Sequence, residues 1–117
     1  MIEPYLIYFI CSRTDLPVFA EEPEDSYQYT DYVVIEKTAS RTVNTLQEAT
    51  IAIQSYGRSL YDAMTNSSKV REAMETLSHE PEISGAHLES EYNFTDPTTK
   101  RYRYQVVYRI YYYERLT

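Results

Sequence analysis

Glycine is nearly missing from this chain, with Gly57 and Gly85 the only two in 117 residues. A phosphate-cradling loop, a dinucleotide-binding turn and a nucleophile elbow each need two or more glycines within a few positions, so those enzyme classes are excluded. Cysteine occurs once, as Cys11, which rules out an internal disulfide and fits a reducing compartment. With His79 and His87 it matches no zinc or haem spacing, so no metal or cofactor is expected, and the plain expectation is a buried thiol with two surface histidines. Apolar runs never approach the roughly 20 residues of a membrane-spanning helix. Residues 1 to 10 lack the basic start and small-residue cleavage site of an export signal, so a secreted or membrane protein is not expected.

Positive charge is missing from one region. Between Arg13 and Lys37 there is no basic residue, while Asp15, Glu21, Glu22, Glu24, Asp25, Asp31 and Glu36 are all acidic. The net charge is -7, and outside this block eleven acids balance eleven bases. Such a block opposes tight duplex binding, which depends on neutralising phosphates, yet it suits a surface that DNA passes without sticking.

What is present reads as one domain, residues 1 to 117, with room for one core. Pro4 stands where a first helical turn tolerates it, and Tyr5, Leu6, Phe9 and Ile10 recur at helical spacing, predicting a helix over 3–13. Residues 16–20 suit a brief strand, residues 21–31 a long acidic surface loop, and residues 32–40, rich in β-branched side chains, a strand. Over 46–56, Ala49, Ile51 and Ile53 share one parity while Glu48, Thr50 and Gln54 take the other, predicting a half-buried strand that ends at Gly57. Ser59 followed by Asp62 forms a capping box, and Leu60, Ala63, Ser67, Val70, Met74 and Leu77 then repeat as one helix of about five turns that stops before Pro81.

The last third predicts a long C-terminal hairpin. Leu88, Ser90, Tyr92 and Phe94 share a face, Thr95 to Thr99 turn the chain, and Tyr102, Tyr104, Val106, Tyr108, Ile110 and Tyr112 return on the core face. That register sets Glu91 opposite Arg103 and Tyr92 opposite Tyr102. It also sends Arg101, Arg103, Arg109, Tyr111 and Tyr113 to the outer face. Glu89 and Glu91 would then lie on one face about 7 Å apart, where pairing with Arg103 and its neighbours outweighs a two-carboxylate hydrolase. The expected fold class is α+β: a largely antiparallel four- to five-stranded sheet with a short N-terminal helix and one long amphipathic helix on one face. The expected protein is not an enzyme.

The stretch KRYRYQVVYRIYYYE, residues 100 to 114, holds six of the chain's fourteen tyrosines and four basic residues. Fully extended it reaches about 50 Å, more than one small core covers, so its surplus must bend, protrude or pair with another chain. Tyrosine and arginine are the side chains enriched at protein interfaces. The alternative is a single-stranded nucleic-acid module, in which arginines and rings form a stacking platform. The acidic block counts against that alternative.

Taken together, PVFAEEPEDSYQYTDYVVIEKT, ATIAIQSYGRSLYDAMTNSSKVREAMETL and YNFTDPTTKRYRYQVVYRIYYY resemble the tail terminator, or tail completion, proteins of long-tailed bacteriophages. The resemblance covers most of the chain. It implies a structural virion protein of the neck, made in the host cytoplasm, that forms a homo-oligomeric ring, by family analogy a hexamer. Such a ring caps the tail tube, ends tube polymerisation and completes head-tail joining at the connector or adaptor protein. Its implied partners are therefore itself, the tube protein and the connector, with genomic DNA as passing cargo and no membrane. On this reading Arg101, Arg103, Arg109, Tyr111 and Tyr113 contact a neighbouring subunit or the tube, and Glu21, Glu22, Glu24 and Asp25 face the lumen or a partner.

Overall fold

The computed structural model describes residues 1–24, 29–99 and 101–113. Helix α1, Ile2–Thr14, turns Ile2, Leu6, Phe9 and Ile10 into the core. It ends where Asp15 takes a left-handed conformation (φ 61°) and its N–H bonds back to the Cys11 carbonyl at 3.0 Å. Strand β1, Val18–Phe19, follows, and then β2, Tyr32–Val43, and β3, Leu46–Tyr56. Asn44, at φ 59°, supplies the unusual backbone of the two-residue loop joining β2 to β3.

The β3 alternation folds as expected, with Ala49, Ile51 and Ile53 buried. Helix α2, Leu60–Met74, starts at Ser59, whose hydroxyl accepts from the Asp62 N–H at 3.1 Å. A 3-10 turn, Leu77–His79, continues the chain to β4, Ile83–Asn93, and β5, Arg103–Tyr113. The five strands lie in the order β1-β2-β3-β5-β4, all antiparallel except the short β1–β2 pairing. The fold is therefore the α+β class read from the sequence.

Both helices pack on one face of the sheet. There Leu6, Ile10, Val33, Ile35, Ile51, Ile53, Val70, Met74, Leu77, Val106 and Ile110 form the main core. Every residue from Glu36 to Val43 in the far part of β2 is exposed, with Lys37 reaching Glu3 of α1 at 3.6 Å. This arm lengthens the molecule to 43 Å against 25 and 24 Å in the other directions.

The C-terminal hairpin departs from the expected register. Asp96 bridges to Arg101, and Tyr92 lies opposite Gln105, so Tyr92 does not meet Tyr102. The Asp96 carboxylate, accepting from the Thr98 N–H at 2.9 Å, helps move the turn beyond Thr95. A bulge between Leu88 and Ser90 then reverses the parity of β4. Leu88 lies opposite Tyr108 on the helix side, whereas Tyr92 lies opposite Gln105 on the outer side. Glu91 accordingly bonds Arg71 of α2 at 2.9 Å, and Glu89 pairs with Arg109 at 2.7 Å, so the two carboxylates do not share a face.

Strand β5 has its expected parity, with Val106, Tyr108, Ile110 and Tyr112 buried. Tyr102 and Tyr104 are only half-buried, because they lie at the sheet's end. Cys11 is exposed, contrary to the expectation of a buried thiol, since it lies on the solvent side of α1 while its neighbours Phe9 and Ile10 turn into the core. His79 and His87 are exposed as expected.

Candidate protein-interaction surface

The sheet face opposite the helices carries the conspicuous chemistry, in two clusters and an apolar tip. At the end near the α2 start, Tyr32, Tyr56 and Arg103 fall in register across β2, β3 and β5. The two tyrosine rings stack with centroids 4.4 Å apart and planes 7° from parallel. Phe19 and Tyr29 pack edge-on against Tyr32 at 6.1 Å each. Arg103 lies 4.4 Å from the Phe94 ring, donates to the Tyr56 hydroxyl at 3.0 Å and donates to the Phe94 carbonyl at 2.7 Å.

Arg101 completes this cluster by pairing with Glu22 at 2.9 Å and donating to the Tyr32 hydroxyl. That hydroxyl in turn donates to Glu22 at 3.1 Å. Burial, with the Glu22 carboxylate accepting its proton, raises the Tyr32 pKa, and Arg101 only partly offsets the rise. Asn66 of α2 donates to Asp31 at 2.8 Å and to the Tyr56 carbonyl at 2.9 Å, fastening the far end of the acidic loop.

The structure thus brings Arg101, Arg103 and Glu22 together inside one chain, so acidic loop and basic strip meet without a neighbour. Glu21 and Glu24 are exposed beside them. Asp25 lies outside the described residues. Two shallow clefts of 190 and 160 Å³ flank Arg101.

The second cluster runs across the middle of the same face. Arg41 bonds Glu48 at 2.8 Å, and Arg109 bonds Glu89 at 2.7 Å. The Tyr111 hydroxyl, followed by Arg41, holds the Glu48 carboxyl below the usual carboxylate range. Hydrogen bonding with Tyr111 and the charge of Glu89 raise the Arg109 pKa. His87 packs edge-on against the Tyr111 ring at 5.9 Å. These are solvated pairs, so they orient side chains more than they stabilise the fold.

Beyond them, at the tip, Val43, Leu46 and Tyr113 line up across β2, β3 and β5. Val43 is 51% exposed, Tyr113 is 40% exposed and Leu46 is half-buried. Sequence reasoning placed Tyr113 here but missed Val43 and Leu46. Their partnership depends on the Asn44 turn, which looked like the edge of a loop.

Between the clusters, Gln54 donates to Gln105 at 2.8 Å and Gln105 donates to the Tyr92 hydroxyl, although both glutamines are buried. A cleft of 350 Å³ lies on the helix side between Arg13, Lys69 and Glu72. Among the described residues, no group of three or more histidine, cysteine or acidic side chains converges to hold a metal ion. No described helix is long and apolar enough to cross a membrane. No known family model matches the chain, and no curated protein matches it.

Proposed function

We propose that this chain is a non-enzymatic assembly protein whose outer sheet face docks onto other polypeptides. Following its resemblance to tail terminators, its role is to cap a phage tail tube as a ring and join it to the head connector. The observation that carries the docking reading is the apolar row Val43, Leu46 and Tyr113 at the tip of the sheet, in which Val43 and Tyr113 are exposed and Leu46 is half-buried. An apolar row with aromatic content, rimmed by the ionic side chains of Arg41, Glu48 and Arg109, has the anatomy of an interface.

The mechanism is geometric. Subunits seated on the open end of a stack of tube rings occupy the surface where the next ring would add. Their partners are further copies, the tube protein and the connector, in the neck of the virion, with DNA passing an acidic wall that includes Glu21 and Glu24. Arg109, Tyr111 and Tyr113 are the docking side chains in this scheme. Arg101, Arg103 and Glu22 shape the surface by fixing the loop to the sheet.

A stacking platform for single-stranded nucleic acid is the weaker reading. Tyr32 and Tyr56 are 1% and 3% exposed, and each already has the other ring against its face. Arg101 is already neutralised by Glu22.

Val43→Asp and Tyr113→Ala test the docking reading, because neither residue supports the core. Tube protein polymerised with wild type should give shorter tubes than with either variant, at unchanged far-ultraviolet circular dichroism. Equal tube lengths would refute the capping role. Retardation of a labelled oligonucleotide at low salt, lost steeply with added salt, would favour the nucleic-acid reading instead.

A further inference from the structure

Among the described residues the sheet ends in two open edges. Strand β1 covers only Val33 and Val34 of β2, so among the described residues nothing pairs with the outer edge of β2 from Ile35 to Val43. On the opposite side, among the described residues, β4 is paired with β5 alone. Unpaired strand edges present rows of N–H and C=O groups that accept another strand, and proteins usually cover or disrupt them. Bulges at Lys37/Ala39, Ile83/Gly85 and Leu88/Ser90 interrupt both edges here. They still leave regular runs at Ala39–Val43, at Gly85–Leu88 and at Ser90–Asn93.

We propose that these two edges are the contact between copies of this chain: the β2 edge of one copy, over Ala39–Val43, adds antiparallel to the β4 edge of the next. The proposal rests on the self-assembly part of the reading above and not on what the assembly caps. Three features carry it.

The first is strand direction. Since β2 opposes β3, β3 opposes β5 and β5 opposes β4, strands β2 and β4 run in opposite directions. A second copy added with its strands aligned to the first therefore brings β4 antiparallel to β2, and the alternation continues unbroken. Such a contact joins two different patches, so its repetition gives a ring or an open array in preference to a two-fold dimer.

The second is charge. Within the contacting run Ala39–Val43 the only charged side chain is Arg41, with Lys37 and Glu36 just before the bulge, and from 83 to 93 the only acidic or basic ones besides His87 are Glu89 and Glu91. A cationic edge meets an anionic one.

The third is facing. Arg41 and Glu89 belong to the outer face, as their bonds to Glu48 and Arg109 demonstrate. Lys37 and Glu91 belong to the helix face, where they pair with Glu3 at 3.6 Å and Arg71 at 2.9 Å. A continuous sheet keeps its faces, so each cation meets the anion of its own side and the existing pairs join into networks across the seam.

Hairpin geometry identifies the groups at stake. Val43 and Leu46 flank a two-residue loop and bond each other, so by alternation Ser40 and Thr42 direct their backbone N–H and C=O groups away from β3. Ser40→Pro and Thr42→Pro each delete one outward donor while sparing the β3 ladder. Sedimentation velocity over a concentration series should show wild type forming species larger than the monomer. Both proline variants should stay monomeric with an unchanged circular dichroism spectrum.

Should proline unfold the arm, crosslinking decides. In a Cys11→Ser background, Thr42→Cys combined in turn with Ala86→Cys, Leu88→Cys and Glu91→Cys should yield intermolecular disulfides in one of the pairs, because all four positions share the helix face. A wild type that remains monomeric, proline variants that assemble undiminished, or no crosslink in any pair would overturn the proposal. Assembly through these edges that leaves tube length unchanged would sink the capping role and leave this contact standing. Capping that survives both proline variants would do the reverse.

Discussion

Gly57 ends β3 two residues before the α2 cap, and a single methyl group there has no room. A Cβ at this position would lie 2.5 Å from the Ala63 nitrogen, 2.7 Å from the Asp62 carbonyl carbon and 2.8 Å from the Asp62 Cβ. Two of these three atoms are backbone in the first turn of α2, so relief requires the helix to move. The helix is held by the Ser59 cap at 3.1 Å and by Asn66 donating to the Tyr56 carbonyl at 2.9 Å. Overpacking of a fixed site costs typically 1–3 kcal/mol, and the rigid neighbours place Gly57→Ala near the top of that range, about 3 kcal/mol. With a urea m-value of about 2 kcal/mol/M, the midpoint should fall by about 1.5 M.

Gly85 is the internal control. A Cβ there meets only the His87 ring at 3.5 Å and the Tyr111 ring at 3.7 Å, both ordinary contacts with side chains. Gly85→Ala should therefore raise stability by about 0.4–1 kcal/mol, through the reduced freedom of the unfolded chain. Urea titration followed by circular dichroism reads both variants. A Gly57→Ala midpoint within about 0.2 M of wild type, or not below that of Gly85→Ala, would refute the steric argument.

Ser59→Ala removes the acceptor for the Asp62 N–H and should cost about 1 kcal/mol in the same urea titration, while Ser59→Gly should cost only a few tenths. Gln54→Leu strands the buried Gln105 oxygen and should cost about 1–3 kcal/mol, whereas Gln54→Leu with Gln105→Leu should recover much of the loss; thermal melts of the single and double variants decide. Burial, with Glu80 and Glu82 nearby, pushes the Tyr5 phenol up to about 12, and burial likewise raises Tyr32 and Tyr108. A phenol raised on folding leaves stability intact below its unfolded pKa of about 10 and withdraws it as pH climbs through the folded value. The melting temperature should accordingly decline above about pH 10, less so in Tyr32→Phe, and a flat profile to about pH 12 would count against these burials.

The parts of the fold legible in the sequence are those whose signal is local. Ser59 and Asp62 announce the start of α2 within one turn, and the strict alternation from Glu48 to Gln54 needs no partner to be read as a strand. Polar residues hid the last part of β2. Arg41 to Val43 extend the expected strand because β3 offers a ladder, not because they are buried, and no pattern within the segment says so. The bulge between Leu88 and Ser90 escaped for the same reason: one inserted residue flips every later side chain, and alternation by itself cannot signal the slip. Glu22 and Arg101 form an ion pair across most of the chain, so the acidic block and the basic strip could be found separately but not joined.

The fate of the long tyrosine strand follows from these non-local facts. Its length demanded a bend, a protrusion or a foreign partner, yet β5 is the central strand of its hairpin partners, paired over Arg103–Tyr113 with β3 and from Asn93 back to Ile83 with β4. Long neighbours absorb its hydrogen bonds, so the unsatisfied length is passed outward, strand by strand, to the edges of the sheet. On one side it surfaces as the exposed run from Glu36 to Val43, and on the other as β4, exposed from His87 to Asn93. The tyrosines supply the wide central platform, and the strand edges left unpaired among the described residues belong to two strands in which the sequence carries no tyrosine but Tyr32 and Tyr92.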